Sequence, residues 1–267
     1  MDVIILVVSI VIVLITVQKG LCRGIDNLAL ALNWSPKTRG QVTGFATSIP
    51  EFAALISTAL NGVWAAGLWN IASSNIINVV LLITAVCWYR QYRDLWNKHF
   101  IDEMLFAGMA VAFPLLLMYF SMDQSPYTVP ILLFFYLVYR LSDRVFNRAH
   151  TEPDVEGEDA GSAKLGLLYI IGSIAIICVA GNFLGTSAEA IVNKMEIYGI
   201  FVGGLLGFVT SLPERTTFFK VYSAAKKKGA LGGTDDTQEV LDNLTGSNMS
   251  NVGIIYPIAL LIFLFVT

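Results

Sequence analysis

Eight stretches of this chain are apolar for long enough to cross a lipid bilayer, at roughly 2–18, 40–62, 68–88, 103–121, 127–146, 164–184, 198–220 and 243–266. Each approaches the about 20 residues a helix needs to span the hydrocarbon layer. The first has no basic leader and no small-residue cleavage pattern, so it reads as a span and not as a signal peptide. Two of the stretches are interrupted in the same way. Thr47-Ser48-Ile49-Pro50-Glu51 recurs as Thr210-Ser211-Leu212-Pro213-Glu214. Proline removes an amide from the helix ladder and clashes with the preceding turn, and a charge near the bilayer centre costs on the order of 2.5–3.5 kcal/mol by insertion scales. Two such costs at matched places imply one shared task.

Composition agrees with the pattern. Of 267 residues, 55% are hydrophobic and 14% charged, with a mean hydropathy of +0.67, which excludes an ordinary soluble domain and sets an all-α integral membrane protein in its place. Cys22, Cys87 and Cys178 are far apart and lie in or beside apolar helices, so they read as hydrophobic fillers. His99 and His150 lack ligand spacing. No nucleophile–base set, phosphate loop or metal-hydrolase spacing appears, so an enzyme is not expected. Nor is a cofactor or a nucleic-acid partner; the bilayer is the partner.

The net charge of −3 matters less than where the cations sit. Fifteen of the 17 Lys and Arg fall in the odd-numbered loops, among them Lys19, Arg39, Arg90, Arg144 and Lys226-Lys227-Lys228. Lys194 alone falls in an even loop, and Arg215 lies inside a span. The positive-inside rule therefore puts the odd loops in the cytoplasm and both termini outside. Five spans, an odd number, precede the second unit, so the two Pro-Glu motifs cross the membrane in opposite directions. That is an inverted-topology repeat.

The two units divide the chain as 1–146 and 164–267, joined by an acidic linker at 147–163 that carries Glu152, Asp154, Glu156, Glu158 and Asp159. The linker lacks the ligand spacing of a calcium loop and reads as a solvated joint. In the first unit an amphipathic piece, Leu21 to Leu32, precedes the interrupted span, and Ala180 to Val192 takes its place in the second. Gly44, Thr47, Ser48, Pro50 and Glu51 match Gly207, Thr210, Ser211, Pro213 and Glu214 at an offset of 163. Thr47 and Glu51 share a helix face, as do Ser74 and Asn78 in Ser73-Ser74-Asn75-Ile76-Ile77-Asn78. The latter segment matches Gly246-Ser247-Asn248-Met249-Ser250-Asn251 at an offset of 173. Its polar groups are expected to point inward, at the Thr47–Glu51 face. Spans four and five carry almost no ionisable residues and read as scaffold.

Paired Thr-Ser-x-Pro-Glu and Ser-Asn-x-x-Asn segments in two antiparallel units resemble the α-repeats of the sodium/calcium exchanger family, in the calcium/cation antiporter superfamily. The resemblance is specific at 40–78 and 203–251. It implies that Glu51 and Glu214 are the central carboxylate ligands of a midplane site, with Thr47, Ser48, Thr210 and Ser211 supplying oxygens beside them. By the same resemblance Ser74, Asn78, Ser247 and Asn251 complete the site, and the carbonyls of Gly44 and Gly207 serve flanking ion positions. Ca²⁺ takes six to eight oxygen ligands, all of types present in this set. Two carboxylates balance one Ca²⁺ or two Na⁺.

The implied function is secondary antiport of Ca²⁺ for Na⁺ by alternating access in a multi-pass protein of the plasma or inner membrane. The alternatives are coupling to protons or potassium, or a degenerate paralogue that transports nothing. Three departures stand out. Ala46 and Val209 occupy positions where the family usually has glycine, Arg215 follows Glu214 directly, and eight spans are counted where the family has ten. On the last point, either the second unit continues beyond Thr267 or the final two scaffold helices are missing.

Overall fold

The computed structural model describes residues 1–146, 162–195, 198–229, 231 and 234–266; the acidic residues of the expected linker and Gly232-Gly233 lie outside the described residues. Among the described residues the regular structure is helical. Helix α1 (Asp2–Thr16) passes through a π turn, Val17–Leu21, straight into α2 (Cys22–Ala31). Ser35 then opens α3 (Pro36–Thr47) by accepting a hydrogen bond from the Thr38 amide at 3.3 Å. There follow α4 (Ile49–Leu60), α5 (Trp64–Tyr89), α6 (Ile101–Tyr119) and α7 (Thr128–Phe146). The second unit comprises α8 (Ala163–Met195), α9 (Gly199–Thr210), α10 (Leu212–Lys228), α11 (Asp235–Ser250), a second π turn at Asn251–Ile255, and α12 (Tyr256–Val266).

These elements assemble into eight rods, matching the eight apolar stretches. The ends differ from the hydropathy pattern: α5 begins four residues before position 68, and α8 runs on through the piece expected to be separate at Ala180–Val192. Two rods are each a pair of half-helices. The breaks fall on Ser48 (φ −82°, ψ −2°) and Ser211 (φ −81°, ψ −2°). Breaking there moves Pro50 and Pro213 out of a helix interior into the first turn of α4 and of α10, where a missing amide leaves no bond unmade. Ala46 and Val209 do not prevent it, because the proline ring forces the interruption whatever precedes it.

The half-helices before each break pack against the other repeat. Helix α3 runs alongside α11, and α9 alongside α5, each pair in the same direction. Glycine spacing makes this possible. A Cβ on Gly40 would lie 2.5 Å from the Glu239 carbonyl oxygen, and one on Gly44 would lie 2.8 Å from the Ser247 amide. A Cβ on Gly207 would sit 2.6 Å from the Asn70 carbonyl oxygen, and Gly203 is closed in the same way by Trp69 and Asn70. Small residues four apart let two membrane helices approach backbone to backbone. Gly40 and Gly44 become Gly203 and Gly207 at the offset of 163, so the seam occurs twice, once per repeat.

Around this core, α1 and α2 pair with α8, while α6 and α7 cover α11 and α12. Outward-facing side chains such as Ile4, Phe134 and Leu168 are about two-thirds exposed, as lipid-facing residues are when the bilayer replaces water. One end of the bundle is closed by Asp123, which accepts from Trp64 Nε1 (Oδ2, 3.2 Å) and, through its carbonyl, from the Tyr256 hydroxyl (2.8 Å). The other end is held by ion pairs: Asp26 on α2 takes Lys220 of α10 (2.5 Å) and Arg39 of α3 (2.8 Å), and Arg39 reaches Glu239 of α11 (3.4 Å).

Spans four and five depart from the plain scaffold that their composition predicts. Glu103 of α6, Asp143 of α7 and Asp242 of α11 are buried with carboxylate oxygens within 4.8 Å of one another. Lys37 pairs with Asp143 at 2.6 Å, and Gln41 donates to Asp143 at 3.0 Å while accepting from Arg140 at 2.9 Å. Gln238 donates to Asp242 at 2.6 Å. Cations and amides from α3, α7 and α11 thus surround a cluster that single-span composition conceals. Of the three cysteines, Cys87 and Cys178 face outward and only Cys22 is partly buried.

The glycine seam makes a direct prediction. Gly203→Ala pushes a methyl into α5 and lowers the stability of the purified protein by about 2 kcal/mol. Gly204→Ala, with open space at its Cβ, leaves the thermal unfolding midpoint in detergent unchanged. Equal midpoints for the two variants would refute the seam.

Candidate cation site

The breaks bring both motifs to the centre. Glu51 and Glu214 occupy the first turns of α4 and α10 and are fully buried; helix N-termini favour negative charge there. Ser74, on the next helix, donates its hydroxyl to Glu51 Oε1 at 2.8 Å, and Ser247 donates to Glu214 Oε1 at 2.9 Å. These are the inward contacts that the shared faces predict. The repeats also cross. Ser48 and Ser247 share a hydrogen bond of 2.9 Å, Ser211 donates to Ser74 Oγ at 3.1 Å, and Asn78 Nδ2 donates to Ser247 Oγ at 3.3 Å. Thr210 lies beside Glu51, and Thr47 beside Glu214. Each carboxylate is therefore surrounded by groups from both halves of the chain.

The twelve residues named from the sequence are placed as follows. Glu51, Ser74 and Ser211 form one hydrogen-bonded group, flanked by Thr210, and Glu214, Ser247, Ser48 and Asn78 form a second, flanked by Thr47. Gly44 stands at the seam one turn before the break, with its carbonyl accepting the hydroxyls of both Thr47 and Ser48 at 3.1 Å. The Gly207 carbonyl accepts the Ser211 amide at 3.2 Å and the Thr210 hydroxyl at 3.4 Å. Asn251 opens the second π turn, whose wider winding re-aims the backbone, and donates Nδ2 to Asn75 Oδ1 at 2.9 Å.

Two asparagines in the middle of the Ser-Asn-x-x-Asn segments supply what the sequence does not announce. Asn75 Nδ2 donates to the Ala110 carbonyl of α6 (2.9 Å), its side-chain oxygen takes Asn251, and its main-chain carbonyl takes Asn248 Nδ2 (3.1 Å). Asn248 Oδ1 in turn accepts from Asn78 Nδ2 at 3.0 Å. The amide nitrogens of Asn78 and Asn251 are thereby spent on protein, and their oxygens are left over. Glu51 Oε2, Glu214 Oε2, Asn78 Oδ1 and Asn251 Oδ1 are all buried with no hydrogen-bond donor. Such orphans are uncommon in native interiors. Four orphans that are all oxygens, all carboxylate or amide, form the donor set of a hard cation.

The family model for the sodium/calcium exchanger protein matches residues 2–142 and 165–265. This chain belongs to the sodium/calcium exchanger family. It is thus an integral membrane protein of a family of cation antiporters. Structures of the sodium-calcium exchanger NCX_Mj have the same fold. One, soaked with 100 mM Na⁺ and 10 mM Sr²⁺, has a TM-score of 0.58 at 21% identity, covering 98% of this chain and 83% of that one. Another, with 10 mM Na⁺ and zero Ca²⁺, has a TM-score of 0.57 at 21% identity and 98% and 84% coverage. No curated protein sequence matches this chain significantly.

Against the exchanger motif, Arg215 is the departure with a visible outcome. Its side chain is exposed and its guanidinium lies over the Phe219 ring, 5.8 Å from the centroid. The about 100° between successive helical residues turns it away from Glu214.

The asparagine relay is testable by its loss. Asn75→Ala strips partners from Asn251 and from the Ala110 carbonyl of α6, and unpaired buried groups cost about 1–3 kcal/mol each. A fall of about 3 kcal/mol in stability, read from thermal unfolding in detergent, is expected. Ser73→Ala, whose hydroxyl bonds only main-chain carbonyls, should lose less than 1 kcal/mol.

Proposed function

We propose that this protein exchanges Ca²⁺ for Na⁺ by alternating access at the site between the two breaks. The observation that carries this reading is the set of four donorless oxygens on Glu51, Glu214, Asn78 and Asn251. Two carboxylates match the charge of one Ca²⁺ or of two Na⁺, so the competing loads leave the same net charge inside the membrane. Hydroxyls of Ser48, Ser74, Ser211, Ser247, Thr47 and Thr210, with the carbonyls of Gly44 and Gly207, complete the six to eight oxygens that Ca²⁺ takes. Neutral asparagines at 78 and 251 favour sodium over proton coupling, because they add oxygens without adding a titratable group.

In this reading the chain comprises two inverted units, 1–146 and 164–267, related by the offset of 163 at their breaks. The ion-paired end, rich in Lys and Arg, faces the cytoplasm. Alternating access moves one part of the bundle past the rest. The site remains fixed at the seams, which the glycines hold together.

The test is flux in sealed vesicles. Purified protein in Na⁺-loaded vesicles takes up radiolabelled Ca²⁺ on dilution into Na⁺-free medium, and dissipating the Na⁺ gradient stops it. Glu51→Gln and Glu214→Gln each reduce uptake to background while the protein still inserts and folds. Wild-type uptake driven by a pH gradient and indifferent to Na⁺ would replace sodium coupling with proton coupling. Normal flux in either glutamine variant would dismiss the site.

A further inference from the structure

We infer that Asn70 and Asn243 are cation-receiving residues, one at each end of the site, that exchange an incoming ion's water for protein oxygen. This deepens the proposed antiport and rests on it. The two asparagines are repeat-mates at the offset of 173, and neither belongs to the ligand set that the motif implies. Each lies one helical turn, about 6 Å, before its serine, Ser74 or Ser247. Helix α5 starts at the end closed by Asp123 and α11 starts at the ion-paired end. Asn70 thus lies on the Asp123 side of the cluster and Asn243 on the ion-paired side.

Their backbones and side chains have separate roles. The main-chain carbonyl of Asn70 is pressed against Gly207, and that of Asn243 against Gly44, so both residues are fixed at the glycine seams. Their side chains are fully buried, 0% and 1% exposed. Asn70 Oδ1 accepts the Thr210 hydroxyl at 3.3 Å, which links it to the Glu51 side of the site, while its Nδ2 has no partner. Neither Nδ2 nor Oδ1 of Asn243 has one. A buried amide with an atom that no protein group satisfies is a binding group for something that enters. Beside two carboxylates and an all-oxygen cluster, that visitor is a hydrated Na⁺ or Ca²⁺. The amide oxygen can replace one water of its shell, and the amide nitrogen can hold another.

The alternative is that both amides serve packing alone. The two readings separate by side. In oriented vesicles, with Ca²⁺ presented to one face at a time, Asn243→Leu should raise the apparent KM at the ion-paired face about tenfold, the lower end of what losing a supporting group costs a metal site. The KM at the other face should stay within twofold. Asn70→Leu should do the reverse. Asn243→Asp and Asn70→Asp keep an oxygen at the same place and should restore the affected KM; a packing role would fail in Asp and Leu alike. Equal shifts at both faces, or a fall in maximal rate with both KM values unchanged, would overturn the inference.

Because it rests on antiport, Glu51→Gln and wild type are run beside these variants, with Ca²⁺-dependent thermal stabilisation of the purified protein as a second readout. If wild type shows no flux but is stabilised by Ca²⁺, and Glu51→Gln is not, antiport fails while the receiving residues are still judged. They then predict a weaker midpoint for Ca²⁺ in both Leu variants and recovery in both Asp variants, and an unchanged midpoint overturns them. If Ca²⁺ and Na⁺ stabilise nothing, both readings fall together.

Discussion

Backbone-to-backbone contact between α3 and α11, and between α9 and α5, is the constraint on which the rest of this molecule depends. In a membrane, apolar side chains gain little by leaving lipid for protein, so helices are held by close approach and by buried polar bonds. The glycines at 40, 44, 203 and 207 provide the approach. That approach brings Ser48 to Ser247 and Ser211 to Ser74, so the serine that bonds each carboxylate is itself tied to a serine of the other repeat. A wider seam would leave two lone acids in hydrocarbon.

The breaks at Ser48 and Ser211 do the complementary job. An unbroken helix would carry Pro50 and Glu51 in its interior, with one amide missing and one charge facing closed backbone. Splitting the rod turns both into first-turn residues, where proline is tolerated and an acid is welcome. The same five-residue motif therefore encodes the kink and the ligand together. This explains why it can be recognised twice in one chain without an alignment.

Legibility followed the range of the interactions. The rods, the inverted direction of the two units and the pairing of Ser74 with Glu51 were readable because local hydropathy, loop charge and helical spacing determine them. Span ends were less so, since α8 continues for about three turns past the apolar stretch that announces it. The roles of Asn75 and Asn248 were hidden because their bonds join positions more than 170 residues apart, or reach a main-chain carbonyl on α6. Glu103, Asp143 and Asp242 each look like an isolated acid near a span end; only packing of α6, α7 and α11 makes them a cluster. Asn70 and Asn243 gave no signal beyond their repeat spacing, because an asparagine in a membrane helix is usually ordinary interhelical glue.

The ion pairs that join Asp26, Lys220, Arg39 and Glu239 have no twin. Moved by the repeat offsets, Asp26 becomes Glu189, but Lys220 becomes Ser57, Arg39 becomes Val202 and Glu239 becomes Ala66. In a perfectly duplicated machine, exchanging the conformations of the halves would turn one facing state into its mirror counterpart at equal free energy, and neither direction would be preferred at rest. In the proposed alternating access, any preference between the two facing states must come from places where the halves differ, and this network is a strongly charged one among the described residues. Its strength falls with ionic strength, so the resting balance of the two states is written in a part of the molecule that the salt of one compartment alone can reach.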